Sequence, residues 1–480
     1  ITGACIWDWV DQSFYDPARL LAGEKLDKNG FHYWVSGYDY NSTSGVGIGF
    51  QGNFVNNGLI TPDRAWTGKL TEVKKVYQNA VFSSFNGGAV SVRNKNSFTS
   101  LDAYDLVYQV LRDGSVVEEG VAQMPHIAAG DEASVSVPYT TAISDNAEYI
   151  LNLTLRLKEA TPWAEAGYAV AEGEFALNER PALPQHVADG GSLDVNGSTV
   201  SGTTNGDSNF SIKFNNGKME SWTIDGQELI AAGPDFNSYR KVDNDRNYRP
   251  TFTSSSNVSV TGALTKSGDN ATMSVRGTAQ GCTYTIDYTF YPDATVDMKV
   301  TFAPSYATLA RLGLGMQFAA GLEDVEYYGR GPWSNYTDRK TGSFLGRYQT
   351  TVDDMVDEMI HPQTFGDHQD MRSLTLRDKA KNIALDIKTE GDVIFSLGHY
   401  DETRWCTNGD SMWSSQLHWY DLTRDPQIYA HFDAKQRGLG NNSCGGDQIL
   451  SKYDCPYSGT YTYTLRLTPS TAHEELPTNE

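Results

Sequence analysis

Aromatic side chains are the first residues in this sequence whose type could do chemistry. The chain of 480 residues contains 27 Tyr and 10 Trp, and aromatic residues make up 12% of it. An indole or phenol face can cover the apolar C–H patch of a sugar ring and exclude water from it. The same residue types also favour β-strands, where they fill sheet cores. The composition therefore suits sugar stacking and is equally typical of a β-protein.

The cysteines are the second candidates for chemistry. The five cysteines are widely spread and include no C-x-x-C pair: Cys5, Cys282, Cys406, Cys444 and Cys455. This spacing predicts neither a zinc site nor a disulfide framework, and it favours buried free thiols. It does not distinguish a cytoplasmic from a periplasmic protein.

The charge balance narrows the class of ligand. Sixty acidic residues against 38 basic ones give a net charge of -22. Such a chain repels nucleic acid, anionic membrane surfaces and polyanionic substrates, so a neutral small molecule or sugar fits better. No run approaches the roughly 18 apolar residues that span a bilayer. We therefore predict no nucleic-acid partner and no membrane partner.

Short β-strands dominate the elements that must position these side chains. Apolar and polar residues alternate over 149–157, 282–288 and 461–467, as in half-buried strands. Three dipeptides typical of tight hairpins each separate two alternating runs: Asp113-Gly114, Asn216-Gly217 and Asp225-Gly226. Regular short strands with such turns predict β-sandwiches.

The start of the chain has a different pattern. Leu70, Val73, Val76 and Tyr77 have helical spacing after a Gly/Asn-rich loop over 36–64. A buried strand, a long loop and a helix form the pattern of one β/α unit of a larger barrel, which cannot stand alone. The chain begins in an apolar run without a basic region, which we interpret as the interior of a longer polypeptide and not as a signal peptide.

The local composition of the rest of the chain indicates where its domains begin and end. A Pro/Gly-rich stretch over 178–190 interrupts the alternation and predicts a linker, and the polar tail over 468–480 is expected to fray. We predict three units: a barrel end at 1–80, an immunoglobulin-size sandwich at 81–180 and one large β-domain at 188–470.

Six stretches, in the same order, resemble motifs of the large bacterial β-galactosidases of glycoside hydrolase family 2. They are CIWDWVDQ at 5–12; NGL, DR and LTEVKK between 57 and 75; WAEAGY at 163–168; DND at 243–245; GRGPWSNY at 329–336, followed by Asp338-Arg339; and the glycine-rich turn at 438–445. Ser334 stands where that family usually has Glu, at a position we interpret as structural. Together the stretches cover essentially the whole chain.

The resemblance implies a mainly β fold: the end of a TIM barrel, an immunoglobulin-like sandwich and a large supersandwich of galactose-mutarotase-like fold. It implies retaining hydrolysis of terminal β-D-galactosides such as lactose, in which two glutamates form and break a glycosyl-enzyme. Those glutamates, and the ligands of the family's Mg²⁺, are expected upstream, so we predict no catalytic residue in this chain. The implied partners are the N-terminal half of the same enzyme, the galactoside and further copies in a homo-oligomer.

The resemblance also implies residue roles. Trp7 corresponds to the barrel-wall tryptophan that stacks on galactose, the alternative being a core tryptophan. Phe54 and Asn57 resemble a sodium site built from a backbone carbonyl and an amide oxygen, the alternative being an ordinary Asn-Gly turn. Asn57 would thereby also face the substrate. Tyr429 lies where the family's last domain offers a tryptophan to the active-site rim, the alternative being a plain strand residue. We interpret Asp39 as a solvated loop carboxylate.

A mutarotase is the alternative enzyme class. The last domain of that family resembles galactose mutarotases, which use a His and a Glu, and Glu358, His361 and His368 occur in one stretch. The stretch resembles the β-galactosidase P-Q-x-x-G loop instead, and the N-H-x-x-F/Y-N signature is absent from the sequence. A non-catalytic sugar-binding or assembly subunit is the third hypothesis.

Overall fold

The computed structural model describes residues 3–36, 39, 56–242, 257–279, 281–305, 309–405, 417–440, 449–456 and 458–471. The fold is mainly β, as predicted. Across these residues, helices are too short or too polar to span a bilayer.

The N-terminal segment is mostly irregular. It contains β1 (Phe14–Tyr15), α1 (Pro17–Leu21), β2 (Trp34–Val35), which pairs with β1, and α2 (Gly68–Tyr77). The predicted helix is therefore confirmed, and it begins where the Thr67 hydroxyl accepts the N–H of Leu70, an N-cap that satisfies one of its free donors. Val10 and Ile60 form a parallel bridge. That this segment ends a TIM barrel stays a prediction.

A seven-stranded sandwich follows. One sheet has the order β3 (Ala80–Asn86), β4 (Ala89–Asn94), β7 (Glu132–Ser136), and the other the order β6 (Ser115–Ala122), β5 (Tyr104–Arg112), β8 (Tyr149–Leu157), β9 (Ala169–Ala176). The alternating residues of β8 point into the core between the sheets, where Leu151, Leu153 and Leu155 are buried with Val90 and Leu106.

The large β-domain has three antiparallel sheets around one continuous core that runs from Leu193 to Leu467. The first sheet consists of β10 (Ser192–Asn196), β11 (Thr199–Thr203), β12 (Asn209–Asn215), β13 (Lys218–Ile224) and β14 (Gln227–Glu228). The second has the order β15 (Ile230–Asn237), β20 (Arg311–Phe318), β26 (Ile428–Gln436), β25 (Ile394–Gly398).

The third sheet has nine strands, in the order β16 (Asn257–Ser267), β17 (Asn270–Ala279), β18 (Cys282–Phe290), β19 (Val296–Pro304), β27 (Tyr461–Ser470), β24 (Ile383–Glu390), β23 (Ser373–Asp378), β21 (Asp324–Gly331), β22 (Phe344–Thr351). Among its described residues, this domain also contains the short helix α3 (Glu402–Trp405). Single 3₁₀ turns occur at Leu101–Ala103, Asp353–Met355, Trp419–Asp421 and Ser451–Tyr453.

All three predicted hairpin turns are confirmed. Asp113-Gly114 joins β5 to β6, Asn216-Gly217 joins β12 to β13, and Asp225-Gly226 joins β13 to β14. Both residues of each pair have positive φ, between 48° and 83°, which is the type I′ geometry that Asn-Gly and Asp-Gly favour.

The cysteine prediction is confirmed in part. Cys282 and Cys455 are buried free thiols, whereas Cys5 is a free thiol exposed on the N-terminal segment, so the expectation of burial is wrong there. Cys406 and Cys444 lie outside the described residues.

Partly buried ion pairs and hydrogen bonds join the three units. Glu148 of the sandwich lies 2.8 Å from Arg372 of the large domain, and Arg330 lies 3.0 Å from Glu174 of β9. Glu72 of α2 accepts an N–H from the loop before β22 at 2.8 Å. These contacts fix the N-terminal segment and the sandwich against one edge of the large domain.

Candidate functional site

The irregular segment 7–11, which carries Trp7, runs directly beside residues 56–60. The N–H of Asp8 donates to the carbonyl of Asn57 at 3.3 Å, and the N–H of Leu59 donates back to the carbonyl of Asp8 at 3.1 Å. Further along, the N–H of Ile60 donates to Trp9 at 3.1 Å. The structure thus brings together two predicted site residues, Trp7 and Asn57, that are 50 positions apart.

The side chain of Asp11 stabilises the contact between the Trp7 segment and residues 56–60. Its carboxylate accepts the N–H of Gly58 at 2.6 Å, and the Lys69 ammonium donates to the Gly58 carbonyl. Burial raises the pKa of Asp11, a shift that the Lys69 charge opposes, and burial lowers the pKa of Lys69. A Cβ at position 58 would lie 2.1 Å from the backbone N of Asp11, so only glycine allows this approach.

Trp7 and Asn57 are both exposed. The Trp7 side chain is 78% accessible, so in this chain it is not a core tryptophan. Phe54, the other predicted sodium ligand, lies outside the described residues. The amide oxygen of Asn57 is the kind of neutral oxygen donor that a hard cation such as Na⁺ accepts. Within the described ranges no three His, Cys, Asp or Glu side chains form a metal cluster.

Asp39 is a structural residue, and its interpretation as a solvated loop carboxylate is wrong. It forms a 3.0 Å ion pair with His418 of the large domain and accepts the N–H of Ser36 at 2.7 Å. Its side chain is only 15% exposed. No local sequence pattern indicates this pair, because the two residues are 379 positions apart.

A cavity of about 610 Å³ lies between the N-terminal segment and the large domain; we call it the junction cavity. Trp34, Trp66 and Trp333 contribute aromatic surface to its lining, which also includes Asp11, in the same segment as Trp7, and Lys69. Flat aromatic surface with a few polar groups is typical of a small-molecule site. The junction cavity is the candidate place for part of a bound sugar.

His32 and Glu358 fasten one wall of the junction cavity. Glu358 accepts the backbone N–H of His32 at 2.6 Å and lies 2.7 Å from its Nδ1, while the imidazole stacks on Trp34 at 4.2 Å. Burial opposes a charge on the imidazole, but the hydrogen bond and charge of Glu358 raise the pKa of His32. Sequence reasoning missed His32, because it belongs to none of the motifs.

Two of the sequence motifs meet at Asp338. Its carboxylate accepts the N–H groups of Leu439 and Gly440 at 3.0 and 2.8 Å. A Cβ on Gly438 would lie 2.5 Å from that carboxylate, which explains the glycine at this turn. Ser334 of the same motif accepts a hydrogen bond from Arg339 and is buried, in agreement with a structural role.

Tyr429 lines a different cavity. This second cavity, of about 730 Å³, lies on the four-stranded sheet. The Tyr429 hydroxyl donates to Asp425 at 2.7 Å. Trp7, Asn57 and their neighbour Asp11 are not among the described residues that line it. Among the described residues, Tyr429 therefore lines a cavity that Trp7 and Asn57 do not line.

The residues of the mutarotase alternative each make a structural contact. Glu358 binds His32, and His361 has its Nδ1 3.1 Å from a main-chain carbonyl. His368 is buried, burial lowers its pKa, and its Nδ1 donates to the carbonyl of Arg330 at 2.9 Å. These contacts hold the three residues in the packing of the fold.

Comparison with known protein families shows two matches along the chain. Residues 204–467 match the family described as beta galactosidase small chain, and residues 90–178 match the one described as beta-galactosidase, domain 4. The first match covers more than half of the chain, and the chain therefore belongs to the beta-galactosidase small chain family. The order of the two matches corresponds to the C-terminal part of a β-galactosidase.

Individual relatives agree with this assignment. The chain is 29% identical over 495 residues to a protein named beta-galactosidase from Priestia megaterium and 26% identical over 492 residues to one from Streptococcus thermophilus. The alignments cover 98% and 97% of this chain but 45% and 44% of those proteins. The chain thus spans less than half the length of the curated relatives that it matches.

A galactose mutarotase-like protein from Lactobacillus casei is a structural neighbour. It is 12% identical, and the superposition covers 58% of this chain and 100% of that protein, with a TM-score of 0.29. A similarity this low carries no argument about the site.

Proposed function

We propose that this chain is the C-terminal portion of a retaining β-galactosidase that hydrolyses terminal β-D-galactosides such as lactose. In the proposal, it completes the galactose pocket, while an N-terminal half of the same enzyme supplies both catalytic glutamates. Family membership and the names of the relatives support the activity. The sandwich and the large β-domain have separate hydrophobic cores, which supports assigning residues 81–180 and 188–470 to two domains. Residues 1–80 would then be the barrel end.

One observation supports the proposal: the N-terminal segment exposes apolar side chains both in the irregular segment 7–11 and on helix α2. Trp7 and Trp9 are 78% and 49% accessible, and Val76 and Tyr77 at the end of α2 are 61% and 66% accessible. Exposed apolar surface of this kind marks a protein-protein contact. A preceding barrel half would cover it, as barrel strands and helices cover one another.

Trp7 is assigned to sugar binding. In the completed barrel, its indole would lie on the apolar face of galactose, exclude water there and orient the ring. The backbone hydrogen bonds between segment 7–11 and residues 56–60, together with the Asp11 carboxylate, would keep the indole in place. The junction cavity would receive the part of the galactoside beyond the galactose ring.

The sodium site is also a proposal. Asn57 would offer its amide oxygen and Phe54 its backbone carbonyl, and upstream residues would provide the remaining ligands. A bound Na⁺ would supply a fixed positive charge to a sugar hydroxyl. The ligands of the Mg²⁺ expected in the complete enzyme would lie upstream.

The bond-breaking step would belong to the upstream half. Retention requires two carboxyl groups about 5–5.5 Å apart, one as acid/base and one as nucleophile. We assign no residue of this chain to either role. A homo-oligomer is proposed from the resemblance alone, and light scattering of the assembled enzyme tests it.

The experiment is hydrolysis of a chromogenic β-D-galactoside by this chain, alone and after co-expression with the polypeptide encoded immediately upstream. Activity in the mixture alone supports the proposal. Activity of this chain alone would place a catalytic carboxylate pair within it. Absence of activity in both preparations, with both polypeptides folded, would contradict the proposal.

A further inference from the structure

Two side chains at the start of α2 bond to the main chain that carries Asn57. The Lys69 ammonium donates to the carbonyl of Gly58, and the Thr67 hydroxyl donates to the carbonyl of Leu59. Thr67 is also the N-cap of α2, so the first turn of this helix binds two successive carbonyls directly after Asn57. The helix is therefore one of the elements that set the position of this segment.

Gly58 is bonded through both of its main-chain groups. Its N–H donates to the Asp11 carboxylate at 2.6 Å, and its carbonyl accepts from Lys69. The carbonyl of the preceding residue accepts the N–H of Asp8 at 3.3 Å, and that N–H belongs to the peptide group between Trp7 and Asp8. A continuous path of main-chain bonds and hydrogen bonds thus runs from the Lys69 ammonium to the backbone of Trp7.

The glycine makes these bonds necessary. The two backbones approach so closely that a Cβ on Gly58 would lie 2.1 Å from the backbone N of Asp11, so a larger residue would not fit. Glycine has more conformational freedom than any other residue, so the main chain next to Asn57 can turn unless its peptide groups are held. Lys69 supplies the bond on the carbonyl side, and Asp11 supplies the one on the N–H side.

The donor at position 69 is charged and partly buried. Lys69 and Asp11 both line the junction cavity. Burial and the nearby Arg339 charge lower the pKa of Lys69, whereas the charges of Asp11 and Asp357 raise it. A hydrogen bond from an ammonium group is roughly twice as strong as one between neutral groups. The ammonium therefore restrains the Gly58 carbonyl more firmly than a neutral donor would.

We propose that Lys69 is a positioning residue for β-galactoside hydrolysis: it holds the Gly58 carbonyl and thereby keeps the Trp7 indole against the galactose ring. The inference rests on the proposed function and deepens it. Lys69 stands one position before the stretch at 70–75 that resembles the family, so no motif marks it. In this role Lys69 touches no substrate atom, and its removal changes turnover through the orientation of Trp7. A small displacement of a binding group can lower turnover by roughly 100-fold.

The test is a double-mutant cycle in the co-expressed enzyme, with kcat/KM for a chromogenic β-D-galactoside measured per assembled enzyme. Lys69→Met keeps the length of the side chain and removes the donor, and we expect it to lower kcat/KM at least tenfold. In the Trp7→Ala background, the same substitution should lower kcat/KM less than threefold, because the indole that Lys69 positions is gone. A general loss of structure would instead lower kcat/KM by the same factor in both backgrounds.

Lys75→Met is the matched control. Lys75 lies on the same helix, burial also lowers its pKa, and its ammonium also donates to a main-chain carbonyl, that of Glu172 in β9. Because this carbonyl belongs to the sandwich, Lys75→Met should keep kcat/KM within about threefold of wild type. If Lys69→Met does not assemble, Lys69→Gln, which is neutral and one atom shorter, replaces it in the same cycle with the same expectations.

Three results would overturn the inference alone. They are a wild-type kcat/KM in assembled Lys69→Met, a tenfold loss in both the wild-type and the Trp7→Ala backgrounds, and an equal loss in Lys75→Met. Each of them requires an active wild-type mixture and leaves the proposed function intact. Absence of hydrolysis by the wild-type mixture is a different result, which contradicts the proposed function and this inference with it.

Discussion

Trp7 is the residue at which sequence, structure and proposed activity meet most directly. Its side chain is 78% exposed, so Trp7→Ala should leave the melting temperature of this chain nearly unchanged. In the complete enzyme, the same change should lower kcat/KM by roughly 100-fold or more, or about 3 kcal/mol of transition-state binding. Steady-state kinetics with a chromogenic β-D-galactoside measure the loss, and Trp163→Ala is the matched control. A wild-type kcat/KM in Trp7→Ala would remove Trp7 from the pocket.

His418 gives a pH-dependent prediction at the same scale. It lies 3.0 Å from Asp39 and 3.3 Å from Asp421; burial opposes its charge, but the two carboxylates raise its pKa to about 9. Because this pKa is higher in the folded state than the usual 6.5, the stabilisation is complete below about pH 6.5 and is lost as pH rises through about 9. His418→Gln should therefore cost roughly 3 kcal/mol at most near pH 6 and almost nothing at pH 10. Urea unfolding at both pH values measures the difference, and a cost independent of pH would contradict the assignment.

Residues of this kind mark the limit of prediction from sequence. Trp7 and Asn57 could be named as candidates because they belong to contiguous motifs, and their roles stay predictions. The pairs Asp39–His418 and His32–Glu358 join positions 379 and 326 residues apart, and a single sequence contains no local pattern for such a contact. Tyr429 was found as a candidate, but its cavity depends on which strands neighbour β26, which is equally non-local.

The elements were predictable where their signals are local. Alternation over 149–157, the dipeptide turns and the helical spacing of α2 correspond to β8, three type I′ hairpins and Gly68–Tyr77. The order of the nine-stranded sheet was not predictable. It places β27 between β19 and β24, so its pairing depends on packing of the whole core.

The attachment of the β1–β2 region, residues 14–35, to the large domain can be tested with a single substitution. Glu358 is one of its links to the large domain and contacts both the backbone and the ring of His32, in addition to the ring contacts of Phe31 and Tyr33 with Trp419 and Tyr420. Glu358→Ala should speed amide hydrogen exchange over residues 14–35 by roughly tenfold or more, because losing these bonds favours local opening. Melting of the large domain should change little, since its core lies elsewhere. Glu24→Ala, which removes the exposed Arg19–Glu24 pair, is the control, and equal exchange in both variants would exclude the proposed attachment.

At the scale of the whole molecule, stability depends on a buried charge network in the large domain. Arg311 is fully buried, 3.1 Å from Asp433 and 3.2 Å from Asp367. Arg311→Leu would leave two buried carboxyl groups without their cation, and we expect a loss of about 3–5 kcal/mol in the free energy of unfolding. Chemical denaturation measures it. Lys266→Leu, at the exposed Asp194 pair, should cost less than about 1 kcal/mol. Similar costs for the two variants would show that the network contributes no more than a surface pair.

Assembly with an upstream half is the last property of the whole molecule that the structure makes testable. If the exposed end of α2 is covered in the complete enzyme, Tyr77→Asp should place an unpaired charge in that interface, since Tyr77 is 66% exposed in this chain. The expected result is unchanged melting of this chain alone, with at least a tenfold loss of co-purification and of galactosidase activity after co-expression. Phe98→Asp, at a 98% exposed position on the sandwich, should change neither. Normal assembly of Tyr77→Asp would place the contact with the upstream half on another surface, and equal losses in both variants would mean that the added charge acts through solubility and not through this interface.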